Sequence, residues 1–164
     1  MNVEPNYELL GKIIKHYEGY YQSAYQDTGG VWTIGFGSIY NYDKGRKVKE
    51  GDYVTEATAL RFLEIEVQGK VRELNNVIKV KLTETQSTAL VDYTYNRGIG
   101  NLLKTNLDEL INSDPNDPKI IDAIKQTGLR DRLGNLLWGL GRRRRTEALL
   151  YEKGILQFAF RRWV

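Results

Sequence analysis

The chain has 164 residues and a mass of 18.9 kDa, and 41 % of it is hydrophobic, enough for one domain or a two-lobed unit and too little for a large second module. Zero cysteines and one histidine exclude disulfides, cysteine nucleophiles and a convincing zinc set, which leaves acid–base chemistry with no metal and no cofactor. A net charge of +3 and a pI near 9.0 suit an anionic polymer, a bacterial wall or a nucleic acid, without choosing between them.

Met1 to Tyr7 shows no basic segment followed by an apolar run, and no stretch approaches the roughly 18 to 20 apolar residues of a membrane span. Synthesis as a soluble cytoplasmic protein without stable membrane insertion is therefore expected. Leu9, Leu10, Ile13, Ile14 and Tyr17 form one apolar stripe, so a first helix is expected over 6–18 with Glu18 at its C-terminal end. Next, Tyr25 to Ile34 reads as two short strands around Gly29-Gly30, and Tyr40 to Tyr53 as an exposed loop with one short strand.

Thr55 caps a long amphipathic helix carrying Leu60, Leu63, Val67, Val71, Leu74 and Ile78, a connecting strut over about 55–80. Thr83 and Gln86 form a capping box before a helix that presents Ala89, Leu90, Tyr93 and Asn96 inward and stops at Gly98. Leu103, Leu107, Leu110 and Ile111 suggest another helix. Asp117-Pro118 opens a short one that ends by Gly128, and helix is expected again through Leu136 and from Arg143 to Tyr151. The sum is an α+β chain, mostly helical and two-lobed, with one small antiparallel sheet in a lobe at about 20–58 and a helical lobe at about 81–164 that also takes the first helix. Residues 1–164 form a single unit on this reading, with a cleft between its lobes.

Two carboxylates in unlike settings are what cleavage of a glycosidic bond requires: one protonated to donate to the leaving oxygen, one ionised to manage the water or the cationic sugar. At the end of a helix, with Tyr17, Tyr20 and Tyr21 nearby, Glu18 has a setting that favours the protonated carboxyl. Asp27 is placed beside a hydrated turn, with the Thr33 hydroxyl facing it from the return strand. His16, two positions from Glu18 on one helix, does not face it and reads as a partly exposed helix residue.

These residues carry a resemblance. Glu18-Gly19, Ala24-Tyr25, Asp27, Gly30 and Trp32-Thr33-Ile34-Gly35-Phe36-Gly37 resemble the core pattern of the phage-type lysozymes, in which a Glu is followed after eight residues by an Asp and after five more by a Thr. Tyr93 to Gly98 is similar to the family's aromatic-x-aromatic-Asn-x-Gly segment, and Gly139-Leu140, Arg143-Arg144 and Glu147 are similar to its Gly-Leu-x-x-Arg-Arg-x-x-Glu segment. The resemblance implies a lysozyme-like fold, Glu18 as general acid, and Asp27 with Thr33 as the pair that positions the attacking water. Where the family commonly has a His, this chain has Ser38, so an ion pair built on that His is absent or replaced.

The candidate substrate-binding residues are Tyr25, Gly37, Ile39, Tyr95 and Asn96, of which Tyr25 and Tyr95 offer rings for stacking on sugars. The implied activity is that of a phage or prophage muramidase, monomeric, hydrolysing the β-1,4 bond between N-acetylmuramic acid and N-acetylglucosamine in peptidoglycan after release through holin-made lesions. A rival is a non-catalytic or tail-associated wall-binding module with the same fold. A third reading, nucleic-acid binding through Arg142 to Arg145, is weak because four consecutive helical residues sweep about 300° and cannot all face one phosphate stripe. At least one of them should point inward.

Overall fold

The computed structural model describes residues 1–131 and 133–158. Its elements run α1 (Tyr7–Glu18), β1 (Tyr21–Gln26), β2 (Trp32–Gly35), β3 (Tyr40–Asn41), β4 (Arg46–Lys47), α2 (Glu56–Val77), α3 (Glu84–Arg97), α4 (Ile99–Lys104), α5 (Leu107–Ser113), α6 (Pro118–Gln126) and α7 (Trp138–Lys153). The chain is mostly helical α+β, as expected, and divides into two compact units. Gly11–Gly69 forms one, while Met1–Leu10 and the chain from Lys70 onward form the other. The first helix therefore does not go whole to the helical unit: its opening turn does, and the rest joins the hairpins.

In the hairpin unit, the expected single sheet is two separate antiparallel ladders, β1 with β2 and β3 with β4. Tyr21 pairs with Gly35 but Tyr25 pairs with Thr33, so β1 holds extra residues and bulges between these pairs. The bulged stretch bonds elsewhere, with Ala24 N donating to Asp52 O and Val54 N to Gln22 O, each at 2.9 Å. The segment expected to be an exposed loop is organised around one buried carboxylate. Asp52, 2 % exposed, accepts from Arg46 through two bonds of 2.8 Å, from Lys44 Nζ at 2.9 Å and from Lys49 N at 3.1 Å. Arg46 above all, then Lys44 and Lys49, overcome burial and hold the Asp52 carboxyl far below the usual carboxylate range.

In the helical unit, the Thr83–Gln86 capping box and the Asp117 cap with Pro118 behind it form as the sequence suggests. The helix read over Leu103 to Ile111 is broken at Asn106, which takes a left-handed φ of 56°. Leu102, Leu107 and Ile111 are buried while Leu103 stays exposed. The stretch read as helix up to Leu136 is a bridged turn instead: Arg130 pairs with Leu136, and Asp131 Oδ1 accepts from Leu133 N and Asn135 N. Arg132 and residues 159–164 of the expected helical lobe lie outside the described residues.

Helix α7 packs against α3 and α6. Two of its four consecutive arginines turn inward. Arg143 forms a two-bond pair with Asp92, at 2.9 and 2.8 Å, and Arg144 reaches Glu147 at 2.7 Å and Asn96 Oδ1 at 2.9 Å. Burial pushes the Glu147 carboxyl well up against the pull of Arg144, whereas at Asp92 burial is outweighed by Arg143 and the carboxyl stays low. Among the described residues, no helix is long and apolar enough to cross a membrane.

Candidate active site

Glu18 is the last residue of α1 and is half-buried. The rings expected to crowd it have ring partners of their own: Tyr17 meets His16, Tyr20 meets Phe36, and Tyr21 meets Tyr25. One neighbour of its carboxyl is a glycine. Gly37 has φ +96°, and a Cβ built there would lie 2.9 Å from Glu18 Oε2 and 3.2 Å from its carboxyl carbon. Glu18 thus occupies the space that any side chain at position 37 would fill, and only glycine combines that vacancy with that backbone angle. The structure thus places Gly37, read from the sequence as a sugar contact, beside the Glu18 carboxyl.

Asp27 closes the β1–β2 hairpin. Its Oδ1 accepts from Gly29 N and Val31 N, both at 2.8 Å, and its backbone bonds reciprocally with the same turn. This is an aspartate turn of the ordinary kind, and it engages one carboxylate oxygen only. Thr33, 5 % exposed, does not face Asp27 directly: its cross-strand partner is Tyr25, because the register places Asp27 beyond the last ladder pair, Gln26 with Trp32. The two residues are joined instead by one intervening residue. Val31 donates its N–H to Asp27 Oδ1, and its carbonyl accepts from Thr33 Oγ1 at 3.0 Å.

Tyr25 is half-buried, and its ring lies 4.3 Å from that of Tyr21. Burial, then Tyr21, then the charges of Glu18 and Asp27 raise its phenol above the ordinary value. Ile39 lies in the same unit with half its surface exposed. Tyr95 and Asn96 belong to the other unit, on the last turns of α3, where Asn96 Oδ1 is fixed by Arg144. His16 is exposed on α1. Among the described residues, no group of three or more His, Cys, Asp or Glu is arranged to hold a metal ion.

Two features escaped the sequence reading. The Val31 link has no signal in residue type, since only the backbone of Val31 takes part. Ser38 is the other: where an ion pair was in doubt, its hydroxyl donates to Glu66 Oε2 at 3.1 Å.

The phage lysozyme family model matches residues 15–147, a span that contains every residue of this site. The chain belongs to the phage lysozyme family. Among solved structures, this chain is similar to the endolysin from Escherichia coli O157:H7 phage FAHEc1, with a TM-score of 0.83 and 30 % identity over 96 % of this chain and 98 % of that one. It is also similar to the muramidase domain of SpmX from Asticaccaulis excentricus, with a TM-score of 0.76 and 26 % identity over 91 % and 97 % of the two chains. The endolysin of Bacillus phage B103 is 29 % identical over 144 residues, 87 % of this chain and 52 % of that protein. The chain spans about half the length of the curated relatives it matches.

Proposed function

We propose that this member of the phage lysozyme family is an endolysin-type muramidase that hydrolyses the β-1,4 bond between N-acetylmuramic acid and N-acetylglucosamine with inversion at the anomeric carbon. Glu18 gives its proton to the leaving oxygen as the C–O bond breaks, and a water attacks the sugar from the opposite face. The observation that carries the reading is the Val31 link. Because Thr33 donates its own proton to Val31 O, its oxygen has only lone pairs left to offer and must accept from the water. Because Asp27 Oδ1 is engaged by the turn, Oδ2 takes the water's other proton. A water that donates both protons, one to each, turns its own lone pair outward to the sugar. The proton gained by Asp27 and the one lost by Glu18 are then exchanged with solvent.

Names of relatives support peptidoglycan as the substrate: "Endolysin" for the phage proteins and "Muramidase domain" for the SpmX structure. We further infer that the enzyme acts as a monomer on the wall of a bacterial host after holin-dependent release. Nucleic acid is disfavoured as a partner, since Arg143 and Arg144 are buried and paired with carboxylates. The test is Glu18→Gln assayed by clearing of a purified peptidoglycan suspension. General acid catalysis is commonly worth about 10²- to 10⁴-fold, and loss on that scale with an unchanged melting temperature is expected. Retention of more than a tenth of wild-type activity removes Glu18 from the role, and sedimentation of the wild type with the wall without clearing selects the wall-binding rival.

A further inference from the structure

Strand β2 runs into a tight turn, Gly35 to Ser38, closed by Ile34 N to Ser38 O at 2.8 Å and Ser38 N to Ile34 O at 2.9 Å. Helix α2 grips this turn at two points. Gly35 lies so close to the helix that a Cβ added there would stand 3.0 Å from Ala59 Cβ. Ser38, 1 % exposed, donates to Glu66 Oε2, seven residues further along α2 and therefore on the same face two turns away. The other oxygen of Glu66 accepts from the Tyr42 hydroxyl at 3.4 Å, and the Tyr42 ring packs edge-on to Phe62 of that same face at 5.2 Å. Between the two grips sits Gly37, where an added Cβ would stand 2.9 Å from Glu18 Oε2.

A carboxylate suits this position because it accepts and never donates, so its two oxygens can hold two hydroxyl donors at once. Burial and the charge of Glu66 push the Tyr42 hydroxyl up to about 12, which keeps it a donor throughout the working pH range. The mechanical effect of this arrangement is to fix the height of the Gly37 backbone above α2, beside the Glu18 carboxyl.

We propose that Glu66 is a positioning residue for the reaction: through Ser38 it holds the Gly37 backbone against Glu18 and so sets the direction in which the acid delivers its proton. The inference rests on the reading of Glu18 as general acid. Displacements of about 1 Å at a reacting group cost up to about 10²-fold in rate, so a turn released at one of two grips should cost about tenfold. The experiment measures kcat and KM on soluble, uncrosslinked peptidoglycan chains for Ser38→Ala, Glu66→Gln and Glu18→Gln, with thermal melts of each. Expected is a kcat about tenfold lower for Ser38→Ala and a smaller loss for Glu66→Gln, which keeps one acceptor, both with KM within twofold of wild type. If Ser38→Ala does not fold, Glu66→Gln alone carries the test on the same criterion. Wild-type kcat in a folded variant, or a loss confined to KM, overturns the inference, and if Glu18→Gln is inactive at the same time the acid assignment stands without it. A Glu18→Gln enzyme with more than a tenth of wild-type kcat overturns both.

Discussion

Replacing Gly37 by alanine adds one methyl group at the point where the fold and the chemistry meet. Two effects separate cleanly. The first is backbone strain: a φ of +96° is foreign to alanine, and holding a non-glycine residue in such a region costs about 1–3 kcal/mol. For a domain of this size that corresponds to a melting temperature lower by roughly 2–12 °C. The second is collision, because the methyl carbon would stand 2.9 Å from Glu18 Oε2 and the carboxyl must retreat. A retreat of about 1 Å is worth up to about 10²-fold in kcat. Gly45→Ala supplies the control: φ there is +61°, and nothing lies within 4 Å of an added Cβ, so it carries comparable strain with no collision. Clearing of purified peptidoglycan, with melts run in parallel, should show both variants less stable and only Gly37→Ala losing about two orders of magnitude in rate. Equal activity of the two variants would refute the claim that Glu18 rests on the Gly37 backbone.

Thr33→Ala removes an acceptor from the water and should impair hydrolysis strongly, while Thr33→Glu places a nucleophile where that water stood; proton NMR of freshly released sugar should show the α-anomer from the wild type and a switched outcome from Thr33→Glu. A β-anomer from the wild type would refute the water-holding role. Asp52 has a folded-state affinity for protons far below its unfolded one, so its contribution to stability is complete above the ordinary carboxylate range and is lost as pH falls through and below it. Melting temperatures of the wild type should accordingly decline on acidification below about pH 4, whereas Asp52→Asn starts lower and declines less. Arg143→Ala leaves Asp92 charged, buried and stripped of its two-bond partner, a loss of about 3–5 kcal/mol by chemical denaturation; a loss under 1 kcal/mol would show that the remaining arginine takes over the pairing.

Local signals in this sequence proved legible where the chain's own backbone decides the outcome. The Thr83–Gln86 box, the Asp117-Pro118 start and the inward turn of the arginine run all follow from spacing within one helix. Failures came where a side chain competes with the backbone. Leu129, Leu133 and Leu136 have near-helical spacing, yet the Asp131 carboxylate captures the amides of Leu133 and Asn135, and Leu133 ends 87 % exposed. In the loop from Tyr40 to Tyr53, composition alone does not tell that one of its several charges is buried and collects the others. Within the site, Glu18, Asp27 and Thr33 were visible as residue types. How Asp27 and Thr33 meet was not, because the link runs through the peptide groups of Val31, to which its residue type gives no clue.

Val31 joins Asp27 to Thr33 through its peptide groups alone, and its side chain, 45 % exposed, is left without a duty. In a chain with no cysteine, Val31→Cys would create a single thiol beside the proposed water site at no cost to the link. A fluorophore attached there would report, turnover by turn, when a glycan strand enters and when it leaves.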